Sequence, residues 1–237
     1  LFIGSLTTNT KGVTVQHQSL TASSTVKIRF LRGLVSLLIL LLIKPSYADT
    51  QAHFQAKPIY SPQNSLVEVN GYSIPSKDAF HGWMQVNQAI PKVMEIHRYF
   101  IEGEIKGRLP LYLVLLQGTD WQLNQKSMFV LPDRKHWINM LKTLQLLERE
   151  VIPVVGDLIP VSGTRSVEYN LIAGGAKQSK HLIFCALDLV PTRPITSKEL
   201  RRRLTIVHNK VGQHYDMGLG IYSGVRFHID TCGFRRW

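Results

Sequence analysis

The chain has only two cysteines, Cys185 and Cys232, in 237 residues. That excludes a scaffold stapled by several disulfides and any cysteine-rich zinc module. Acidic residues are also scarce: 16 Asp and Glu stand against 28 Lys and Arg, a formal charge of +12. Residues 1–48 contain no acid at all, but they hold Lys11, Lys27, Arg29, Arg32 and Lys44. Setting those five aside leaves 23 basic residues against 16 acidic ones, a net of +7 over residues 49–237. Such an excess suits nucleic acid, an anionic membrane surface or an anionic polymer, and net charge does not choose among them. No internal repeat and no low-complexity tract is present, which excludes a solenoid. What remains is 44% hydrophobic and 9% aromatic residues with 19% charged ones. This is too apolar for a disordered chain and enough for the core of one or two domains.

The basic front Lys27, Arg29 and Arg32 precedes an apolar run, Leu34–Ile43, broken only by Ser36. Ser46-Tyr47-Ala48 then places small residues at the two positions that a signal peptidase reads. This three-part pattern predicts a secretory signal cleaved after Ala48. The run is about half the ~20 residues of a spanning helix, so an uncleaved anchor is the lesser expectation. The chain begins with Leu, and residues 1–25 carry no pattern. Translation is expected to start near Val26, with residues 1–25 an upstream extension. Export places the mature chain in an oxidising compartment, periplasmic or at the cell wall.

Residues 49–75 read as a polar tether with one short strand at Leu66–Val69. Glu95–Ile105 fits helix or strand, and Leu109–Leu116 reads as a buried strand. Residues 49–130 form a mixed region without a chemical motif. From Leu131 the pattern sharpens. A helix is expected from Pro132-Asp133 to about Glu150, with Trp137, Met140, Leu141, Leu144 and Leu147 at helical spacing and Pro153 as its stop. Strand Leu158–Val161, helix Val167–Ala173, strand Leu182–Leu189 and helix Lys198–Lys210, capped by Ser197, follow. A hairpin of Gly220–Ser223 and Arg226–Thr231 closes the chain. The order implies an α+β domain over 131–237, a small antiparallel sheet flanked by helices.

Three residues suggest a metal site. His181 stands seven positions before Asp188, and His228 lies in R-F-H-I-D-T. Two imidazoles and a carboxylate suit a catalytic zinc with a fourth position for water. Taken singly, a histidine is more often a surface or core residue than a ligand. An Asp inside the apolar run C-A-L-D-L is harder to explain, because a buried carboxylate is expensive unless it is paired or bound to a cation. Asp230 shares a face with His228 in an extended strand.

Three segments in order, S-G-T-R-S-V-E-Y-N from Ser162, G-G-A-K-Q-S-K-H-L-I-F-C-A-L-D-L from Gly174 and G-I-Y-S-G-V-R-F-H-I-D-T-C-G-F-R-R-W from Gly220, resemble the zinc D,D-peptidases of the M15 peptidase family. The closest branch ends in F-x-H-x-D and a terminal Arg-Trp. The resemblance covers roughly Leu131–Trp237. It implies a zinc-peptidase core of the D-Ala-D-Ala carboxypeptidase and hedgehog type, and a zinc-dependent hydrolase of peptidoglycan peptides. Its metal ligands map to His181, Asp188 and His228, and its arginine to Arg165, which can fork onto a carboxylate or a developing oxyanion. Ser179 could hydrogen-bond a ligand or substrate, or be a plain loop serine.

Family members often carry an acid or histidine two to five residues before the second ligand histidine. Here those positions are Ser223, Gly224, Val225 and Arg226, none of which can accept the proton of water. Asp230 is the substitute, either as general base or as the partner that orients a ligand histidine, with His214 a distant alternative. Cys185 and Cys232 each fall four residues after a ligand histidine, where family members usually have small residues. Those strands must adjoin for one ion to be shared, which permits a disulfide; two buried free thiols are the other reading. The expected function is a secreted murein hydrolase acting on cross-links or stem peptides. The alternative is a weak or inactive member that binds peptidoglycan or a partner. Arg201–Arg203 reads as a solvated helix face, so nucleic acid is not an expected partner, and the membrane is met only through the signal peptide.

Overall fold

The computed structural model describes residues 65–121 and 125–237. The expected signal segment and most of the tether lie outside the described residues. The short strand expected at the tether's end is present: β1 (Leu66–Val69) pairs antiparallel with β2 (Tyr72–Pro75) across Asn70-Gly71. Ser76 then accepts a hydrogen bond from the Ala79 amide and starts α1 (Lys77–Val86). The segment that fitted either state is helical, in α2 (Ile90–Glu102), which buries Val93, Ile96 and Phe100 at helical spacing.

The run Leu109–Leu116 is not a strand. Pro110 opens a single turn, α3 (Leu111–Val114), and only Leu116 forms a bridge, to Phe129. Leu113 to Leu116 are all buried, so the run carries no periodicity from which to tell helix from strand. Its carbonyls serve the site instead. Val114 accepts from the Thr164 amide at 3.3 Å, and Leu116 from the Gly163 amide at 2.7 Å.

The expected long helix is α4 (Trp137–Leu146), which continues through a π-type turn at Leu147–Val151 into α5 (Ile152–Val155). Pro153 does not stop it. The proline occupies the first turn of α5, where its missing N–H is no loss. The stop is Gly156, whose φ of 103° leaves the helical region.

The second sheet has five strands in the order β3 (Leu158–Ser162), β4 (Ala186–Pro191), β6 (Phe227–Asp230), β5 (Gly218–Ile221), β7 (Arg235–Arg236). It is antiparallel except for the parallel pair β5–β7, so the sheet is mixed rather than purely antiparallel. Between β3 and β4 lie α6 (Val167–Ile172), capped by Ser166, and a 3-10 turn over Lys180–Ile183. The strand expected from Leu182 starts at Ala186, because Phe184 adopts a left-handed φ of 50° that breaks the extended chain. The last long helix, α7 (Ser197–Val211), is capped by Thr196 rather than Ser197.

One hydrophobic core runs from Ile74 to Ile229 and includes residues on both sides of position 131. Leu187, Leu189, Phe227, Ile229 and Leu219 project from one face of the five-stranded sheet into this core. Among the described residues, no helix is long and apolar enough to cross a membrane.

Cys185 and Cys232 form a disulfide, with Cα atoms 6.4 Å apart and a sequence separation of 47. Thr143 of α4 secures the same corner by bonding the Cys185 carbonyl at 2.7 Å and the Thr231 hydroxyl at 2.9 Å. The denatured, unreduced protein is therefore expected to titrate no thiol. Reduction is expected to lower stability by about 3–4 kcal/mol in the loop-entropy account. Two free thiols per chain would refute the bridge.

Candidate metal centre

Sheet register builds the site. Asp188 of β4 sits opposite Ser162 of β3 on one side and His228 of β6 on the other, and His228 sits opposite Gly220 of β5. Ser162, Asp188, His228 and Gly220 thus form one row across the sheet, with side chains on the face away from the core. The next row on that face is Ala186, Asp230 and Gly218. His181 comes from the 3-10 turn before β4, where the Ser179 hydroxyl accepts from its amide at 3.4 Å.

His181, Asp188 and His228 are all buried, and one potential ligand atom from each lies within 4.8 Å of the others. His181 bonds the Gly163 carbonyl through Nδ1 at 2.5 Å, which requires the proton on Nδ1 and turns the lone pair of Nε2 toward Asp188 Oδ1, 3.5 Å away. His228 has its Nδ1 3.1 Å from the same Asp188 oxygen and its Nε2 2.9 Å from Asp230 Oδ2. With Nε2–H donated to Asp230, the His228 lone pair also faces Asp188. Two imidazole lone pairs and a carboxylate oxygen then converge with no hydrogen between them, an arrangement that a cation relieves.

The proton affinities of the two imidazoles differ: His181 favours the neutral ring, whereas His228 favours the protonated one until an ion displaces its proton. Burial lowers the pKa of His181 despite the nearby Asp188. Burial would raise that of Asp188, but the charges of His181 and His228 and their hydrogen bonds hold it well below the usual carboxylate range. His228 is also opposed by burial, yet its contacts with Asp188 and Asp230 raise it. By their geometry the three residues can hold a metal ion, at the cost of a proton on His228.

Asp230 lies on the far side of the His228 ring from Asp188. Its carboxylate is gripped by both terminal nitrogens of Arg235, at 2.6 and 3.1 Å, and accepts from the Cys232 amide at 2.9 Å. Burial opposes its charge, but the hydrogen bonds with His228 and Arg235 lower its pKa. A carboxylate so occupied suits the orienting role better than proton acceptance. Gly218 makes room for it, since a Cβ there would stand 2.4 Å from Asp230 Oδ2. Asp230→Asn is expected to weaken metal affinity by about 10- to 100-fold, measured by competition with a chromophoric chelator. Unchanged affinity with lost turnover would return Asp230 to the role of base.

Arg165 is nearly buried. Its Nε and Nη2 bond the Ser162 hydroxyl at 2.9 and 2.8 Å, and Nη2 reaches Asp188 Oδ2 at 3.2 Å. Gln117 supports it from behind, with a carbonyl accepting from Arg165 Nε and from Ser162, and a side-chain oxygen accepting from the Ser166 amide. Ser179, Arg165 and the three metal-binding candidates line one cleft of roughly 1010 Å³, together with Lys180, Tyr222, Arg226, Phe234 and Trp237. His214 does not line it; it is exposed and packs against Tyr215.

Sequence reading missed three participants. Arg226 bonds Asp188 Oδ2 at 2.5 Å, although its position was considered only for a base. The alternation Arg226, His228, Asp230 was the available signal. Gln117 was a lone amide ending an apolar run. Trp237 packs near the His228 ring, centroids 5.2 Å apart, and Gly220 permits it, since a Cβ there would lie 2.6 Å from the indole. No family model matches the chain, nor does any curated protein or solved structure.

Proposed function

We propose that this chain is a secreted zinc-dependent peptidase that hydrolyses the stem peptides or cross-links of peptidoglycan. One observation carries the reading: Nε2 of His181, Nδ1 of His228 and Asp188 Oδ1 converge in a buried set beside an open cleft. When bound, zinc would supply Lewis acidity toward a scissile carbonyl and a more acidic water.

The chain's own residues supply the rest. The Gly163 carbonyl and the Asp230 carboxylate hold the two imidazoles in the tautomers that leave a lone pair for the ion. Arg165, clamped by Ser162 and Gln117, offers a fixed guanidinium to a carboxylate or to developing negative charge. Tyr222 keeps its proton, because burial and then the charge of Asp188 push its pKa up to about 12, so its hydroxyl remains a hydrogen-bond donor in the cleft. The peptidoglycan assignment rests on the resemblance of the three ordered segments to those of the M15 peptidases and on the basic excess over residues 49–237, which suits an anionic wall polymer.

The cleft also favours a second reading. Arg226 stands where an acid would be expected, and the Asp230 carboxylate is occupied by Arg235. Both features fit a protein that binds peptidoglycan and cuts it slowly or not at all. The deciding experiment is zinc-loaded protein on isolated sacculi, with fragments identified by mass spectrometry. Release of peptide fragments that stops on chelation supports the peptidase. Sedimentation with sacculi without release supports the binding protein, and neither result would overturn both.

A further inference from the structure

A second basic cleft lies away from the candidate metal centre. Its volume is roughly 360 Å³, and it shares no lining residue with the first. Arg108, Arg193 and Arg203 line it together with Gly156 and Asp157. It sits where Leu158 pairs with Pro191, whereas Ser162 and Asp188 pair at the other end of the same two strands. That stretch of β3 and β4 spans about 10–13 Å.

Each arginine comes from a different element. Arg108 precedes α3; its amide donates to Glu148 at 2.9 Å, and its Nη2 donates to Asp157 Oδ1 at 2.7 Å. Arg203 of α7 donates through Nε to Glu199 at 2.7 Å and through Nη1 to the Val154 carbonyl at 3.1 Å, which leaves its Nη2 for a ligand. Arg193 follows β4 in a loop pinned by Thr192, whose amide and hydroxyl both donate to the Asp157 carbonyl. Pro194 restricts the Arg193 backbone to extended forms. Arg193 is exposed, and its guanidinium has neither a hydrogen bond nor an ion pair among the described residues.

Counted with Glu199 and the Arg202 that grips it, four guanidiniums stand against two carboxylates, a net of +2. Exposed ion pairs add only about 0–1 kcal/mol each, so fold stability gives little reason to gather four arginines here. Guanidiniums fork onto phosphate oxygens. Donors that approach from three elements suit a tetrahedral group better than a planar carboxylate. A phosphate monoester carries about −1.5 to −2 charges near neutral pH, which matches the excess.

We propose that Arg108, Arg193 and Arg203 form a phosphate-binding site at the far end of β3 and β4, with Arg193 as its uncommitted donor. The site takes a phosphate group, borne by a lipid headgroup or free in solution. It does not depend on the reading of the other cleft as a metal centre.

The test titrates inorganic phosphate calorimetrically into the full chain at constant ionic strength, with and without zinc. One phosphate per chain is expected to bind equally in both states. Arg193→Gln is expected to weaken binding by about 10-fold or more, as suits loss of a charge-assisted hydrogen bond, and Arg193→Lys by less. Because Arg193 has no partner in the fold, thermal melting and zinc content of both variants are expected to match wild type. Arg203→Gln gives a second reading from another element. Sedimentation with vesicles of phosphatidylcholine and phosphatidylglycerol separates the sources. Vesicle binding that Arg193→Gln abolishes supports the site and names a lipid headgroup; phosphate binding without vesicle binding supports it and names a soluble phosphate. No binding of either probe would overturn the proposal. So would binding that survives in both Arg193→Gln and Arg203→Gln, or phosphate binding lost on metal removal, since the ion would then hold the phosphate.

Discussion

Replacing Asp188 with Asn is expected to reduce bound zinc from one per chain to almost none. Among the described residues, Asp188 is the only carboxylate between the two imidazoles, and its Oδ1 is the atom on which both lone pairs converge. An amide in its place keeps the shape but removes the charge that balances a divalent ion. His181→Ala and His228→Ala are expected to lose the metal as well, each by deleting one lone pair. The three differ in stability. Asp188→Ala also strips the partner from Arg165 and Arg226, and removing one side of a buried ion pair costs about 3–5 kcal/mol. The histidine variants leave those arginines paired and are expected to fall by less. Elemental analysis of the dialysed proteins, alongside denaturant melts, checks both parts. Full zinc occupancy in all three variants would sink the metal assignment.

Gly163→Ala is expected to damage fold and site together. A Cβ at Gly163 would stand 2.0 Å from the Val114 carbonyl oxygen and 2.7 Å from its carbon. These are backbone atoms of a buried turn, so no side chain can rotate away. The Gly163 amide donates to Leu116 at 2.7 Å, and its carbonyl accepts from His181 Nδ1 at 2.5 Å. Any shift that relieves the clash therefore disturbs the bond that sets the tautomer of His181, a candidate metal ligand. A loss of about 3 kcal/mol, at the upper end of overpacking costs, is expected. Metal affinity is expected to fall by about 10- to 100-fold. Guanidinium melts and a zinc competition titration read the two effects, and wild-type values in both would show that the close approach is not needed.

Much of the site was legible because strands repeat with period two. His228 and Asp230 had to share a face, and they do, linked at 2.9 Å. An aspartate in an otherwise apolar run had to find a cation or a partner, and Asp188 finds four. Helical spacing placed α4 and α7 to within a few residues, because each keeps one polar face and so preserves the period. Leu109–Leu116 lost that signal, since a run buried on every side looks the same in a strand, a helix or a turn. Pro153 misled for a related reason: its effect depends on whether it falls inside a helical turn or at the start of a new one, and one-dimensional spacing does not distinguish these.

The sequence by itself determined the residue types of a candidate metal site, their order, and the alternation that puts Arg226, His228 and Asp230 in step. Tertiary structure decided which of them meet. The row Ser162, Asp188, His228, Gly220 joins strands that are distant along the chain, and its register is set by the burial of the opposite face. From that register follow the contact of Arg226 with Asp188, the separation of Asp230 from Asp188 by the His228 ring, and the disulfide that closes the corner. Local spacing records the pattern of a single element, whereas these contacts arise where elements pack, so they become visible only when the sheet is assembled.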